Sequence, residues 1–384
     1  MTKLSVHHIG ARGETQALPA LRKFDASIVN VLYEADEKCI AELREINASR
    51  TAKVIIVPRC ISGQNGSRIF YDACHEYGSS LLEVNPDVGA LYVCAHWIDH
   101  DYSIRDALSP ISSRTMHTET LDSLIDSTTP AIPLPDFLSL DTQGSELEIL
   151  RGAPRALDSA MCIVSEVEFL PLYKDQPLFG DVCRHLTDRG FVFSKFFPIL
   201  AGNPYRAPLG LRGETIPVTT DALFLRNPHA VLTSSRDPFE KHLALRKLMF
   251  FSIIYGFFDH ALWAVEAERD VGSPSRGVIK PEENWYQFVE DFLEVARGFP
   301  PIFPQTFSEH QLHGEPGKQA SIRHIVDNVE RIDRSLQDLR EVFLRFDVGY
   351  LSETLYSRLD VCYRSLGIER AKDSALLPPW PAAF

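Results

Sequence analysis

The first two thirds of the chain alternate between short apolar runs and segments with helical periodicity. Short apolar runs bounded by polar residues or glycine are typical of strands buried on both faces of a sheet. The pattern predicts helices at 37–46 and 179–188, and seven strands at 4–9, 28–33, 52–57, 137–140, 161–164, 190–197 and 221–226. Strands that alternate with helices indicate an α/β fold.

The segment 135–169 shows this alternation most clearly. An apolar strand ends at Asp141, a turn follows at Gly144, and helical spacing continues to a second apolar run. This is the pattern of a βαβ unit. Ligands of open α/β sheets bind beyond the carboxyl ends of the strands, so one rim should collect the polar side chains Asp141, Gln143, Glu146, Glu166 and Glu168. The alternative is that these acids cap helices and stay solvated.

A glycine-containing turn follows the first strand. Gly10 and Gly13 would let a ligand approach the backbone closely, with Ala11 between them. Glu34 ends the second strand, about 20 residues later, where a carboxylate can accept hydrogen bonds from ribose hydroxyls. A plain β-turn without a ligand explains the same residues.

The pattern changes at residue 228, where long apolar helices replace the alternation. We therefore predict two domains, 1–227 and 228–384. Residues 248–265 read as a buried helix, because two charged or ionisable side chains interrupt an apolar stretch of marginal length for a bilayer. A heptad seam follows, at Ile322, Ile325, Val329, Ile332, Leu336, Leu339 and Phe343. It should pack within the chain or form a homodimer through these C-terminal helices.

Composition narrows the classes of partner. The 384 residues carry a formal net charge of -13, which disfavours nucleic acid and anionic membranes as partners. The seven cysteines form no CxxC pair and the first residues lack a signal-peptide core, so we expect reduced thiols and a cytoplasmic protein. His96 and His100 have the spacing of metal ligands on a helix, but a third ligand is lacking. We predict no metal, and His96 as a candidate general base.

Three stretches carry a family resemblance: TLDSL at 120–124, PDFLSLDTQGSELEILRGAPRAL at 135–157 and EVEFLPLYKDQPLF at 166–179. In order and spacing they resemble FkbM-type S-adenosylmethionine-dependent methyltransferases, over about residues 4–226. The resemblance implies a Rossmann-like class I methyltransferase fold with a seven-stranded, mostly parallel sheet. It also implies S-adenosyl-L-methionine as cofactor, and methylation of a hydroxyl on a sugar, a glycan or a small-molecule natural product.

The resemblance assigns roles to individual residues. Gly10, Ala11 and Gly13 match the cofactor loop, Glu34 the ribose-binding acid, and Asp141, Gly144 and Glu146 the signature after the fourth strand. His8 stands where the family loop often has an acid, and is included among the cofactor-binding residues. The candidate catalytic residues are Asp141, Glu166 and His96.

Two other function classes are alternatives for this sequence. A nicotinamide-dependent oxidoreductase would need G-x-G-x-x-G, but Arg12 and Thr15 stand at the second and third glycine positions. The other alternative is a catalytically inactive methyltransferase fold that serves as a binding module in glycan or protein assembly.

Overall fold

The computed structural model describes residues 3–10, 20–88, 91–95, 100–127, 131–204, 211, 213–272, 283–300 and 323–365. The chain divides into two compact units, Met1–Tyr286 and Gln287–Phe384. The sequence predicted a boundary at residue 227, so the helices between 228 and 270 belong to the first unit rather than to a separate domain. Helical periodicity shows that these helices need an apolar partner, but it does not show which partner.

The strands are β1 (Leu4–Ile9), β2 (Ile28–Tyr33), β3 (Lys53–Val57), β4 (Cys60–Ile61), β5 (Gly66–Ala73), β6 (Tyr92–Ala95), β7 (His100–Ser103), β8 (Pro110–Glu119), β9 (Phe137–Leu140), β10 (Cys162–Glu168), β11 (Phe191–Phe196), β12 (Leu200–Gly202) and β13 (Ile216–Arg226). The helices are α1 (Glu37–Asn47), α2 (Ile104–Leu108), α3 (Leu121–Ser127), α4 (Glu146–Arg151), α5 (Pro154–Ser159), α6 (Phe179–Asp188), α7 (Pro228–Leu232), α8 (Pro238–Ile254), α9 (Phe258–Asp270), α10 (Asn284–Ala296), α11 (Val329–Arg345) and α12 (Tyr350–Ser365).

The central sheet is mostly parallel, as the sequence predicted. Its strand order is β11-β13-β10-β9-β1-β2-β3, and β12 pairs with β13 as an eighth strand. The pairs among β10, β9, β1, β2 and β3 are parallel, whereas β13 runs antiparallel to its neighbours. The seven predicted strands all lie in this sheet. The architecture is α/β and consistent with the methyltransferase fold.

Helices cover both faces of the sheet. On one face α3, α4, α5 and α6 bury a continuous apolar cluster that includes Leu138, Leu150 and Leu186. On the other face α1 packs through Leu43 against Leu32. The helix α8 covers the same face, where the rings of Phe251 and Phe137 lie 5.7 Å apart. Strands β1 and β2 are therefore buried along their whole length.

The predicted helix at 248–265 is two helices. The helix α8 ends at Ile254, and α9 begins at Phe258 after Gly256, whose φ of 79° is left-handed. Glycine adopts this conformation without a steric penalty, so it ends α8. None of the helices within the described residues has the length and apolar character needed to cross a membrane.

Two small sheets lie outside the central one. The strands β4, β8 and β5 form a three-stranded sheet, in which β5 pairs with the strand β8 some 40 residues later. The strands β6 and β7 pair antiparallel. The sequence placed His96 and His100 on one helix face, but His100 begins the strand β7, and His96 lies outside the described residues. Alternating Tyr92, Val93 and Tyr102 are typical of strands.

The second unit is helical among its described residues. Ile332, Leu336, Leu339 and Phe343 of the predicted seam are between 0% and 7% exposed. Ile332 and Leu336 form a cluster with Tyr356 of α12 and with Phe299. The seam is thus covered by residues of the same unit. Ile322 lies outside the described residues.

Candidate functional site

A cleft opens at the carboxyl ends of three neighbouring strands. The chain proceeds from β1 to β2 and β3 on one side, whereas β9 and β10 lie on the other side of β1. Such a reversal of strand order is where open α/β sheets bind ligands. The cleft is lined by Ile9, Gly10, Tyr33, Glu34, Ala35, Asp36, Arg59, Cys60, Ile61, Phe70, Glu76, Tyr77, Ser79, Leu81, Asp141, Thr142, Gln143 and Ser145.

Gly10 allows the backbones of β1 and β9 to meet at the base of the cleft. Its φ is 79°, and a Cβ at this position would lie 1.8 Å from the carbonyl oxygen of Asp141. The backbone N–H of Gly10 donates to the carbonyl of Tyr33 at 3.2 Å, and that of Asp141 donates to the carbonyl of Ile9 at 3.0 Å. Only glycine fits this crossing. The predicted cofactor-loop residues Ala11 and Gly13 lie outside the described residues.

Glu34 lies in the cleft wall at the end of β2. Its Oε1 accepts hydrogen bonds from the backbone N–H groups of Ala35 and Asp36, both at 2.8 Å. The carboxylate therefore forms the turn that the sequence also allowed. The same two bonds hold it in the lining of the cleft. The turn and a ligand-binding role are thus compatible.

Asp141, Gln143 and Glu166 form a hydrogen-bonded group at the ends of β9 and β10. Because Leu140 pairs with Ser165, the residues that follow lie beside each other. The side-chain Nε2 of Gln143 donates to Asp141 Oδ1 at 2.9 Å and to Glu166 Oε2 at 2.6 Å. Thr219 Oγ1 donates to Glu166 Oε1 at 3.2 Å. Three of the residues predicted for the polar rim, Asp141, Gln143 and Glu166, are thus joined by the side-chain amide of Gln143.

The sequence placed Gln143 on the polar rim without a chemical role, and it did not single out Tyr173. Gln143 has a φ of 56°, which is rare for a residue other than glycine, asparagine or aspartate. The hydroxyl of Tyr173 faces Gln143 Oε1 at 3.3 Å and the carbonyl oxygen of Gly78 at 2.8 Å. The position of Tyr173 in the Pro-Leu-Tyr of the third resembling stretch was a signal, but spacing alone does not show this contact.

Glu146 lies beneath the loop rather than in the cleft wall, and it is 2% exposed. Its Oε1 accepts from the backbone N–H of Thr142 at 2.7 Å and from the Thr142 hydroxyl at 2.9 Å, and its Oε2 accepts from the N–H of Gly144 at 2.9 Å. Burial raises the pKa of Glu146 to about 7, against these hydrogen bonds. Glu146 shapes the loop that presents Asp141 and Gln143.

The carboxyl groups around the loop are crowded, and those of Glu146 and Glu168 are buried. Burial and then the charge of Asp141 raise the pKa of Glu166 well above its usual value. Burial and then the charge of Glu146 have the same effect on the pKa of Glu168. Burial raises the pKa of Asp221 to about 6, again with Asp141 contributing. The group as a whole therefore holds protons that isolated carboxylates would release.

Residues 84–193 match the family model of the methyltransferase FkbM domain. This match covers less than half of the chain and agrees with the family that the sequence resembles. The matched segment contains β9, β10 and the loop with Asp141, Gln143 and Glu146, whereas Gly10 and Glu34 precede it. No curated protein and no solved structure matches the chain. The similarity to this family therefore rests on the part of the cleft built by β9 and β10.

Two further predicted site residues do not belong to the cleft lining described above. His8 is 6% exposed on β1 and lies 6.3 Å from the ring of Phe137, so it is packed in the sheet and does not line the cleft. Burial lowers the pKa of His8 to about 3, which leaves the ring neutral. His96 lies outside the described residues. Within the described residues no group of three or more His, Cys, Asp or Glu side chains is arranged to hold a metal ion.

Proposed function

We propose that this methyltransferase uses S-adenosylmethionine to methylate a hydroxyl of a sugar, a glycan or a small-molecule natural product. One observation carries the proposal: Gly10, Glu34 and Asp141, which come from three separate strands, line one cleft at the point where the strand order reverses. The FkbM match to the Asp141 side of this cleft supports it.

The residues of the cleft fit this cofactor chemically. Glu34 would accept hydrogen bonds from the ribose hydroxyls, because its carboxylate is held in the wall by two backbone amides. Asp141 would face the positively charged amino-acid end, and the rings of Phe70 and Tyr77 offer flat apolar surfaces for the adenine. When bound, S-adenosylmethionine supplies a methyl group on a cationic sulfur that leaves as a neutral thioether.

The chain itself would align the acceptor hydroxyl and take its proton. Alignment accounts for most of the effect, since a hydroxyl held in line with the methyl group reacts without a further entropic cost. A sugar hydroxyl is a very weak acid, so a carboxylate that receives its proton as the new bond forms assists the reaction. Asp141 lines the cleft and is the proposed proton acceptor. Burial and then the charge of Asp141 raise the pKa of Glu166 well above its usual value.

Calorimetric titration with S-adenosylmethionine tests the cofactor assignment. Glu34→Gln keeps an oxygen for the two turn amides but removes an acceptor for the ribose. We expect binding by the parent, and a loss of about 1 to 3 kcal/mol in the variant, or roughly five- to hundredfold in Kd. Glu37→Gln is the matched control, because Glu37 is an exposed acid of α1 that does not line the cleft.

Two results would count against the proposal. Equal affinity in the parent and in Glu34→Gln would remove Glu34 from the site. No binding by the parent would favour the binding-module alternative. Transfer of label from methyl-tritiated S-adenosylmethionine to a panel of free and nucleotide-linked sugars then tests hydroxyl methylation directly. A parent that binds the cofactor but labels only nitrogen or carboxyl acceptors would contradict O-methylation.

A further inference from the structure

The amide of Gln143 joins the two carboxyl groups nearest to the proposed reaction. Its Nε2 has two hydrogens, and one carboxyl oxygen of each acid lies within hydrogen-bond distance, at 2.9 Å for Asp141 and 2.6 Å for Glu166. An amide donates one hydrogen to each acid and so holds both at a fixed separation. A water molecule or a hydroxyl would not impose this separation.

We propose that Gln143 is a positioning residue that makes Asp141 and Glu166 a single proton-sharing pair, which accepts one proton from the acceptor hydroxyl during methyl transfer. The role in methyl transfer rests on the proposed function above. The pairing of the two acids does not, because it is a property of the free protein.

The orientation of the amide is favoured at both of its ends. The single hydrogen of the Tyr173 hydroxyl lies between two acceptors, the carbonyl oxygen of Gly78 at 2.8 Å and Gln143 Oε1 at 3.3 Å. A flipped amide would place an oxygen between two carboxyl groups and lose both hydrogen bonds of Nε2. The two acids thereby keep the Nε2 of Gln143 directed at them, and the longer contact with Tyr173 adds to this orientation.

The backbone of Gln143 is held in place for the same purpose. Its left-handed φ of 56° costs energy for a side chain of this kind. The hydroxyl of Ser80 donates to the carbonyl oxygen of Gln143 at 2.7 Å, and the backbone N–H of Leu82 donates to the same hydroxyl at 2.9 Å. Ser80 is 1% exposed, so this bond is shielded from water. The strained conformation directs the amide between the two acids.

The charges around the pair explain why the two acids share one proton. Burial raises the pKa of Glu166, and the charges of Asp141, Glu168 and Glu146 raise it further. Asp221 lies opposite Glu166 in the β10–β13 pairing. Burial and then the surrounding acids raise the pKa of Tyr173, so its hydroxyl stays neutral. Two ionised carboxylates at this separation in a partly buried site would repel strongly. The pair therefore carries one proton and one negative charge at rest.

The proton balance of the reaction follows from this state. The acceptor oxygen forms its bond to the methyl carbon as the carbon–sulfur bond breaks, and the bonding electrons stay on sulfur. The hydroxyl proton passes to the ionised carboxylate, which leaves the pair neutral. Release of this proton to water after the product departs restores the starting charge.

Titration of the free protein by carbon-13 NMR of labelled Asp and Glu carboxyl groups tests the pairing. In Gln143→Gly the amide is lost and the left-handed backbone is kept without strain. Donated hydrogen bonds favour the ionised form, so the pair should titrate about one pH unit higher in this variant. The control is Asp175→Gly, which relieves a second left-handed residue at an exposed site and should leave the titration unchanged.

Tyr173→Phe provides a second and milder variant. It retains Gln143 but removes the hydroxyl that orients the amide, so a smaller shift in the same direction is expected. An unchanged titration in both variants would overturn the proposal and leave Gln143 a structural residue of the loop. Because no cofactor is present, this result is independent of methyl transfer.

The activity readout separates the two hypotheses. With a methylated acceptor in hand, Gln143→Gly should lower kcat at least tenfold and move the rising limb of its pH profile upward. A shifted titration in a parent that transfers no methyl group would refute the proposed function alone. A profile that keeps its position, with only the Kd altered, would refute the positioning role.

Discussion

Replacement of Glu146 by glutamine tests whether burial or hydrogen bonding has the larger effect on the pKa of this carboxyl, which lies at the loop after β9. Burial raises the pKa of this carboxyl from 4.5 to about 7, although the Thr142 and Gly144 donors favour its ionised form. A folded-state pKa above the unfolded value means that the folded protein binds the proton more tightly. The contribution of Glu146 to stability is therefore complete below pH 4.5 and is lost as the pH rises through 7.

The size of this effect follows from the two pKa values. A difference of about 2.5 units corresponds to about 3 kcal/mol at 1.36 kcal/mol per unit, taking the pKa values of 4.5 and about 7. Glutamine resembles the protonated acid and does not titrate. The free energy of unfolding of Glu146→Gln, minus that of the parent, should therefore increase by about 3 kcal/mol between pH 4.5 and pH 8.

Urea unfolding followed by circular dichroism at a series of pH values measures this difference. The charge of Glu146 also raises the pKa values of Glu166 and Glu168, so the difference between the two curves reports Glu146 together with its effect on these two acids. Glu148→Gln provides a control on the same helix, since this acid is partly exposed and paired with Arg68. A difference that falls as the pH rises would show that the loop donors outweigh burial, and the reasoning would be refuted.

Two other substitutions test the frame of the structure by thermal unfolding. Gly10→Ala should lower the free energy of unfolding by about 3 kcal/mol or more, because the new Cβ would lie 1.8 Å from a carbonyl oxygen. In the control Gly180→Ala the new Cβ has nothing within 4 Å, so the melting temperature should stay the same or rise. The double variant Ile332→Asp and Leu336→Asp should lower the stability of the second unit without changing the molecular mass measured by light scattering. The control Leu344→Asp, at a site 51% exposed, should change neither the stability nor the mass. A fall in mass with an unchanged melting temperature would instead show a seam between subunits.

The strands of the central sheet were predictable because their residues are buried on both faces. β1 and β2 were predicted with the bounds that the structure shows, since each of their six residues is buried and the run ends at a turn residue. At the start of α3 the hydroxyl of Thr120 accepts from the N–H of Ser123 at 3.2 Å. Local patterns of this kind are set by neighbours in the sequence.

The features that escaped prediction depend on distant contacts or on backbone conformation. Tyr173 meets Gly78 across 95 positions, and no periodicity reports such a contact. The left-handed φ of Gln143 has no compositional signal, because glutamine rarely adopts it. Glu146 was assigned to the cofactor from its place in a motif, whereas its oxygens are used by the loop itself. A motif gives the identity of a residue but not the direction of its side chain.

The helix α8 sets the minimum length of a working catalytic fragment. Lys247 of α8 forms an ion pair with Asp136 at 2.7 Å, and the other oxygen of Asp136 accepts from the backbone N–H of Ser5 at 2.9 Å. One buried carboxylate thus joins α8 to the starts of β1 and β9, the strands that end at Gly10 and Asp141. A chain ending at residue 227 would keep the sequence motifs around Asp141. It would lose the ion pair between Lys247 and Asp136, together with the apolar side chains that cover Phe137. We expect such a fragment to aggregate, while one extended to residue 286 stays in solution.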